Sequence, residues 1–369
     1  MLPYFFLLFV IFAGHELVSA KMLSKGMYCA IVSVIMIALC GGRDLYMGLS
    51  DTKFVYENVF LSVANTESLE KLWDLYVDVN FGSRYVANSS AYAIMFLLLA
   101  KISSMIINDY QFFLLICAAI YFIPISLVIC RHSKVPMLSF IVFIALNGFS
   151  SSFYLVRHEV AMGILLIAWL FFCAERKKMA AFFVIVAAGF HISALIFLVV
   201  LLFDKVHFSK RKIIRLSVLC AVIGLLGKQL VLMSASFVGR FFPYYLHYLH
   251  HDTGQFALLS LLALFVALFC FQKYDEVVAQ KKENGYYANA LLLYIAMLSF
   301  QIVMDEFNRL ALFFVIAPAI LLPNTLVLFK KERRSVYAII IFGAFSGYFF
   351  CMNLLNYNMV PYKFFMSFV

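Results

Sequence analysis

Apolar runs long enough to cross a bilayer recur from one end of this chain to the other, as at Leu291 to Val303 and Leu310 to Leu322, and no long polar block separates them. A hydrocarbon core of about 30 Å takes about 20 such residues as a helix. In lipid every backbone N–H and C=O must be satisfied within the protein, so only helices and closed barrels span. Barrel strands would alternate apolar and polar residues, whereas these runs are continuous. The expected fold is therefore an all-α polytopic membrane protein, a single integral membrane domain over residues 1–369. Composition excludes a water-soluble globule. The set AVILMFWYC makes up 65% of the chain and charged residues 13%, against roughly half and a quarter in soluble domains. Leu2 to Val18, which lacks a basic flank and carries His15 and Glu16, is expected to be a retained first membrane segment rather than a leader.

Apolar segments lie near 2–20, 27–40, 89–107, 111–130, 136–152, 158–174, 179–203, 213–232, 256–271, 286–304, 309–329 and 335–355, giving about 11 to 12 in all. Plain alternation of crossings splits the basic loops across the bilayer, with 131–134 and 175–178 on one side and 205–215, 273–282 and 330–334 on the other. Two changes of parity restore the positive-inside pattern. One of the pair 89–107 and 111–130 crosses incompletely, since Lys101 sits in the first and Asn108-Asp109 follow it. The other is 179–203, which Gly189-Phe190-His191 divides into two half-helices, each about 18 Å long and short of the core thickness. A single long tilted helix over 179–203 is the competing arrangement. On the outer side, residues 41–88 form a loop with a short interfacial helix. Asn65 and Thr66 offer its cap, Glu67 and Glu70 its first turn, and Leu69, Leu72, Trp73, Tyr76 and Asn80 one face. Residues 233–255 form a second outer loop, rich in aromatics and histidine.

The formal charge of +10 reflects cytoplasmic loops that hold the topology and does not imply nucleic acid. The eight cysteines lie in or beside apolar runs without a C-x-x-C pair and read as packing residues. Arg43, Arg84, Arg157, Arg240 and Arg309 are not explained by the positive-inside rule, because all stand at outer ends of segments. Guanidinium groups there can hold a phosphate bidentately, which a lysine cannot.

Several of these arginines head polar constellations. Arg43, Asp44, Tyr46, Gly48, Asp51, Tyr56 and Glu57 follow the second apolar segment, as a sugar or phosphate site or as a solvated loop whose charges pair. Arg157 opens an apolar helix after Ser150-Ser151-Ser152, as a phosphate ligand or as a snorkelling side chain paired with Glu159. His191 is a membrane-embedded titratable group followed by Ser193, and such groups are functional candidates by default. Arg309 begins a helix just after Asp305 and Glu306, as an ion-pair partner or an anion contact. Arg240, Tyr244 and Tyr245 lead to His247, His250 and His251, which share a helical face but lack H-E-x-x-H, so an aromatic surface for sugars or headgroups is expected rather than a metal. No G-x-S-x-G, Walker or dinucleotide pattern occurs, and no cofactor is expected.

The pieces Gly48-x-x-Asp51 with Tyr56, Arg157 followed by Ala161, Phe190-His191-x-Ser193-Ala194-Leu195, and Arg309 leading to Pro318 and Pro323 resemble the EpsG-like branch of the Wzy-type polymerases of bacterial surface polysaccharides. The chain departs from that pattern at His158 and at Gly48-Leu49-Ser50-Asp51. The resemblance implies a glycosyltransferase of the bacterial inner membrane that works on its periplasmic face. It would transfer a glycan chain from undecaprenyl pyrophosphate to the next undecaprenyl-pyrophosphate-linked oligosaccharide, with a chain-length regulator as a further partner. Loss of a pyrophosphate leaving group develops negative charge that fixed guanidinium groups stabilise. Arg157 and Arg309 are the expected catalytic arginines, and Asp51 and His191 the candidate bases. Arg43, Tyr56, Arg84, Arg240, Tyr244 and Tyr245 are expected to bind substrate. The rivals are a flippase or transporter of lipid-linked oligosaccharide, which more often carries internal repeats, and a membrane O-acyltransferase with His191 as base.

Overall fold

The computed structural model describes residues 1–48, 52–66, 68–80, 93–233, 254–301, 306–354 and 358–365. In chain order the helices are α1 (Leu2–Ser19), α2 (Lys25–Gly41), α3 (Glu57–Ala64), α4 (Leu69–Asn80), α5 (Ile94–Ile106), α6 (Tyr110–His132), α7 (Pro136–Phe143) and α8 (Val156–Cys173). There follow α9 (Lys177–Ala188), α10 (Lys210–Met233), α11 (Gly254–Gln272), α12 (Tyr274–Gln280), α13 (Lys282–Phe300), α14 (Glu306–Leu312), α15 (Ile316–Leu326) and α16 (Lys331–Tyr348). Among the described residues no strand occurs, and one isolated bridge pairs Arg43 with Phe364. Four described helices are long and apolar enough to cross a membrane, Leu2–Ser19, Tyr110–His132, Val156–Cys173 and Lys331–Cys351. This is the all-α, multi-pass membrane architecture that the apolar runs require. All eight cysteines are free.

The chain forms two compact units, one of Met1–Arg131, Asn147–Leu198 and Ala344–Val369, the other of His132–Leu146 and Val199–Gly343. In the first, glycines let helix backbones touch, the close approach on which helix packing in lipid depends. A Cβ on Gly41 of α2 would lie 2.7 Å from the Leu115 Cα of α6, and one on Gly163 of α8 would strike the Ile120 carbonyl of α6. Gly163→Ala should therefore cost about 1–3 kcal/mol by forcing α6 and α8 apart. Gly343→Ala, whose Cβ would meet nothing within 4 Å, serves as control. Thermal unfolding in detergent checks this, and equal midpoints for the two variants would refute it.

The segment 179–203 is broken at the expected place. Helix α9 has 12 residues and stops at Gly189, and an 11-residue 3₁₀ helix, Ile192–Leu202, follows. Phe183 of the first arm stacks on Phe171 of α8 at 5.2 Å, and Phe197 of the second packs on Trp169 at 6.0 Å. Both arms thus lie beside the C-terminal part of α8, while His191 at the turn meets His158 near its start. That is a re-entrant hairpin and not one long helix. Helix α5, with 13 residues or about 20 Å, starts at the hairpin tip, where Met95 N–H donates to the Gly189 carbonyl at 3.2 Å.

The segment expected to lie outside holds more structure than a loop in its described part. A π-helical turn, Thr52–Tyr56, runs into α3, which packs on α5. The short helix expected there is present as α4, with a different cap: Ser68 Oγ accepts from Lys71 N–H at 3.2 Å, while Asn65 closes α3. Leu72 is buried and Trp73 is 54% exposed with its ring 5.3 Å from that of Tyr76, so the two aromatics are available as interfacial anchors.

In the second unit α13 packs against α10, α11, α14 and α15. Asn324 of α15 ties it together: its amide donates to the His132 carbonyl (2.9 Å) and to Asn284 Oδ1 (3.0 Å) and accepts from Lys134 N–H (2.7 Å). A buried amide this well satisfied fixes one register of the surrounding helices.

Candidate functional site

Three segments of the first unit converge where α2 ends. Arg43 is 1% exposed. Its Nη1 donates to the Cys40 carbonyl, and its Nη2 to the Phe153 carbonyl (3.2 Å) and to Thr52 Oγ1 (3.4 Å). Thr52 Oγ1 donates in turn to the Phe153 carbonyl at 2.9 Å, and the Phe153 ring lies 5.1 Å from the guanidinium carbon. Gly48, with φ of +84°, lets the chain press on this turn, since a Cβ there would come within 2.5 Å of the Phe153 oxygen.

The C-terminal segment returns over the same place. Asp44 N–H donates to the Lys363 carbonyl (2.9 Å), Phe365 N–H to the Gly42 carbonyl (3.2 Å) and Gly48 N–H to the Asn358 carbonyl (3.3 Å). The Gln111 amide donates to the Gly41 and Arg43 carbonyls, the latter at 3.0 Å. Arg43 therefore clamps polypeptide against polypeptide. Tyr56 is likewise buried, its ring 5.6 Å from that of Phe96.

Glu159 enters this neighbourhood from α8. It is 3% exposed, with the Ser151 and Tyr121 hydroxyls beside its carboxylate and His158 Nδ1 at 3.9 Å. Arg43, Glu159, Tyr121, Cys40 and Ser152 border a cavity of about 10 Å³, too small for a hydration shell.

At the tip of the re-entrant hairpin, His191 Nδ1 lies 2.6 Å from Ser193 Oγ, and the imidazole meets that of His158 edge to face with ring centres 5.2 Å apart. Phe190 and Ala194, flanking it, are buried and seat the turn. Arg157 is half-buried at the second position of α8, where first-turn N–H groups and the helix dipole favour negative charge. The fold thus brings His191 to the helix start that carries Arg157, His158 and Glu159. Arg309 is exposed on α14 of the second unit. Asp51, Arg84, Arg240, Tyr244 and Tyr245 lie outside the described residues, as do His247, His250 and His251.

Sequence reasoning took Glu159 only as a partner for Arg157 and gave no role to Thr52, Gln111 or Tyr121. One signal was available: Glu159 is a carboxylate inside an 18-residue apolar helix, and such a group is costly unless its surroundings satisfy it.

A sequence model described as the EpsG family matches residues 26–364. No curated protein and no solved structure matches the chain. The matched span runs from the first turn of α2 into the C-terminal segment that closes over Arg43, and so takes in Arg43, the start of α8 and the His191 hairpin. On that extent the chain belongs to the EpsG family, membrane proteins of the polysaccharide-polymerase type.

Proposed function

We propose that this protein is a polysaccharide polymerase of the bacterial inner membrane, transferring a glycan chain from undecaprenyl pyrophosphate to a lipid-linked repeat unit on the periplasmic face. The observation that carries the reading is the meeting of the His191 hairpin tip with the start of α8, which puts an imidazole beside a helix N-terminus bearing Arg157. In this reading the acceptor hydroxyl gives its proton to His191 as its oxygen attacks the anomeric carbon. The bond from that carbon to the pyrophosphate oxygen breaks, and the lipid pyrophosphate leaves with the bonding pair. In the tautomer whose Nδ1–H donates to Ser193 Oγ, Nε2 carries the lone pair and is assigned as the proton acceptor. Asp51 is the alternative base. Arg157 stabilises the leaving charge, and Arg309 is proposed as a catalytic arginine from its place in the sequence alone.

Arg84, Arg240, Tyr244 and Tyr245 are proposed as substrate contacts. Arg43 and Tyr56, both buried, serve the substrate by holding the outer segment in place. The bilayer presents both lipid-linked partners, and a chain-length regulator is a proposed associate.

Purified protein in nanodiscs, given lipid-linked repeat unit and no nucleotide, should yield a ladder of longer glycans on a gel. His191→Ala should slow the ladder by about 10²-fold or more. Translocation of the repeat unit across vesicles without any ladder would overturn the polymerase reading in favour of a flippase.

A further inference from the structure

On the opposite end of the first unit from its basic flanks lies a cleft of about 530 Å³ between the outer segment and the start of α6. Its side is set by the charges: α2 begins at Lys25 and α6 ends beside Arg131, both on the basic face, whereas the cleft is built at the other ends of these helices. The volume falls in the range of small-molecule sites. Tyr46 is 61% exposed on its wall, with its ring centre 6.4 Å from that of Phe54.

The polar groups in the cleft are mostly acceptors. Asp44, Glu57 and Asp109 line it with the Asn108 amide, against one ammonium, Lys53, which binds Glu57 at 2.7 Å. The Glu57 carboxylate pushes the Lys53 ammonium up from its ordinary pKa, so Lys53 stays charged at neutral pH. Two of the acids are pre-positioned. Asp44 Oδ1 accepts from Tyr46 N–H at 2.9 Å and Asp109 Oδ1 caps α6 by accepting from Phe112 N–H at 2.8 Å, and each carboxylate keeps a second oxygen as acceptor.

We infer that this cleft is a saccharide-binding groove for neutral or amino sugars, in which Tyr46 stacks on a pyranose face and Glu57, Asp109 and Asn108 take its hydroxyls. An excess of carboxylates repels phosphate and uronate groups, so the groove would hold the glycan away from its pyrophosphate end. The inference deepens the polymerase reading and rests on it for the origin of the sugar. The same hydroxyl chemistry belongs to the incoming repeat unit and to the growing chain.

The test uses the full-length protein in nanodiscs and saturation-transfer NMR. One arm takes the oligosaccharide released by mild acid from the host's lipid-linked repeat unit, the other the released long glycan. Transfer to sugar C–H protons is expected, weakened about tenfold in affinity by Tyr46→Ala and also reduced by Asp109→Asn, which retains the helix cap. Inorganic pyrophosphate should not compete. Binding of the short probe alone assigns the groove to the incoming unit, and of the long probe alone to the growing chain. The inference fails if wild-type discs that lengthen lipid-linked glycans show no transfer with either probe, if Tyr46→Ala binds as wild type, or if pyrophosphate displaces the sugar. Tyr46-dependent binding by discs that form no ladder would keep the groove and remove the polymerase reading.

Discussion

Replacing Arg157 with alanine should lower the rate of glycan transfer about 10²- to 10³-fold, the usual loss when one charge-stabilising donor is removed from a preorganised site. Arg157 is half-buried, so its guanidinium meets less water than a surface group would, and it sits in the first turn of an 18-residue helix whose dipole acts in the same direction. Charge on the leaving pyrophosphate grows only as the sugar bond breaks. The defect should therefore appear in kcat more than in KM. Arg157→Lys should recover only part of the rate, since an ammonium is a point charge without the two-pronged geometry. Initial rates of ladder formation at saturating acceptor measure this. A rate within about twofold of wild type would remove Arg157 from the chemistry.

The second large effect is on stability. Arg43→Met should destabilise the protein by about 2–4 kcal/mol, since each buried hydrogen bond to a charged donor contributes about 1.5–3 kcal/mol. The substitution removes the guanidinium donor from the Cys40 carbonyl and leaves the Phe153 carbonyl with Thr52 Oγ1 alone. It also empties part of the small cavity that Arg43 and Glu159 both border. Glu159→Gln alone should cost less, because it keeps the side chain's volume and leaves the hydrogen bonds of Arg43 intact. The double variant should be more stable than the sum of the single losses by about 0.5–3 kcal/mol. Denaturation midpoints of the four proteins in one detergent decide it. Additive losses would mean that Arg43 acts only through the carbonyls it binds.

Much of the architecture is local and was readable as such. Bilayer thickness and the need to satisfy each backbone group act on every stretch of about 20 residues separately, so apolar runs alone determine a helical membrane protein. The break at Gly189-Phe190-His191 was visible for the same reason, because two arms of 12 and 11 residues are each too short to span. Arg157 and His191 stood out as polar groups at membrane boundaries. The partners of Arg43 did not, since Phe153 is 110 residues away and Asp44 bonds to Lys363 at the far end of the chain. An arginine after a helix reads alike whether it faces an anion or a carbonyl 110 residues on. The saccharide groove has the same character, with walls from residues 44–46, 53, 57, 60–61, 108–111 and 365. Hydropathy and helix length are properties of a segment, which the sequence carries by itself, whereas burial of Arg43, the surroundings of Glu159 and the cleft beside Tyr46 are properties of segments brought together, which only packing decides.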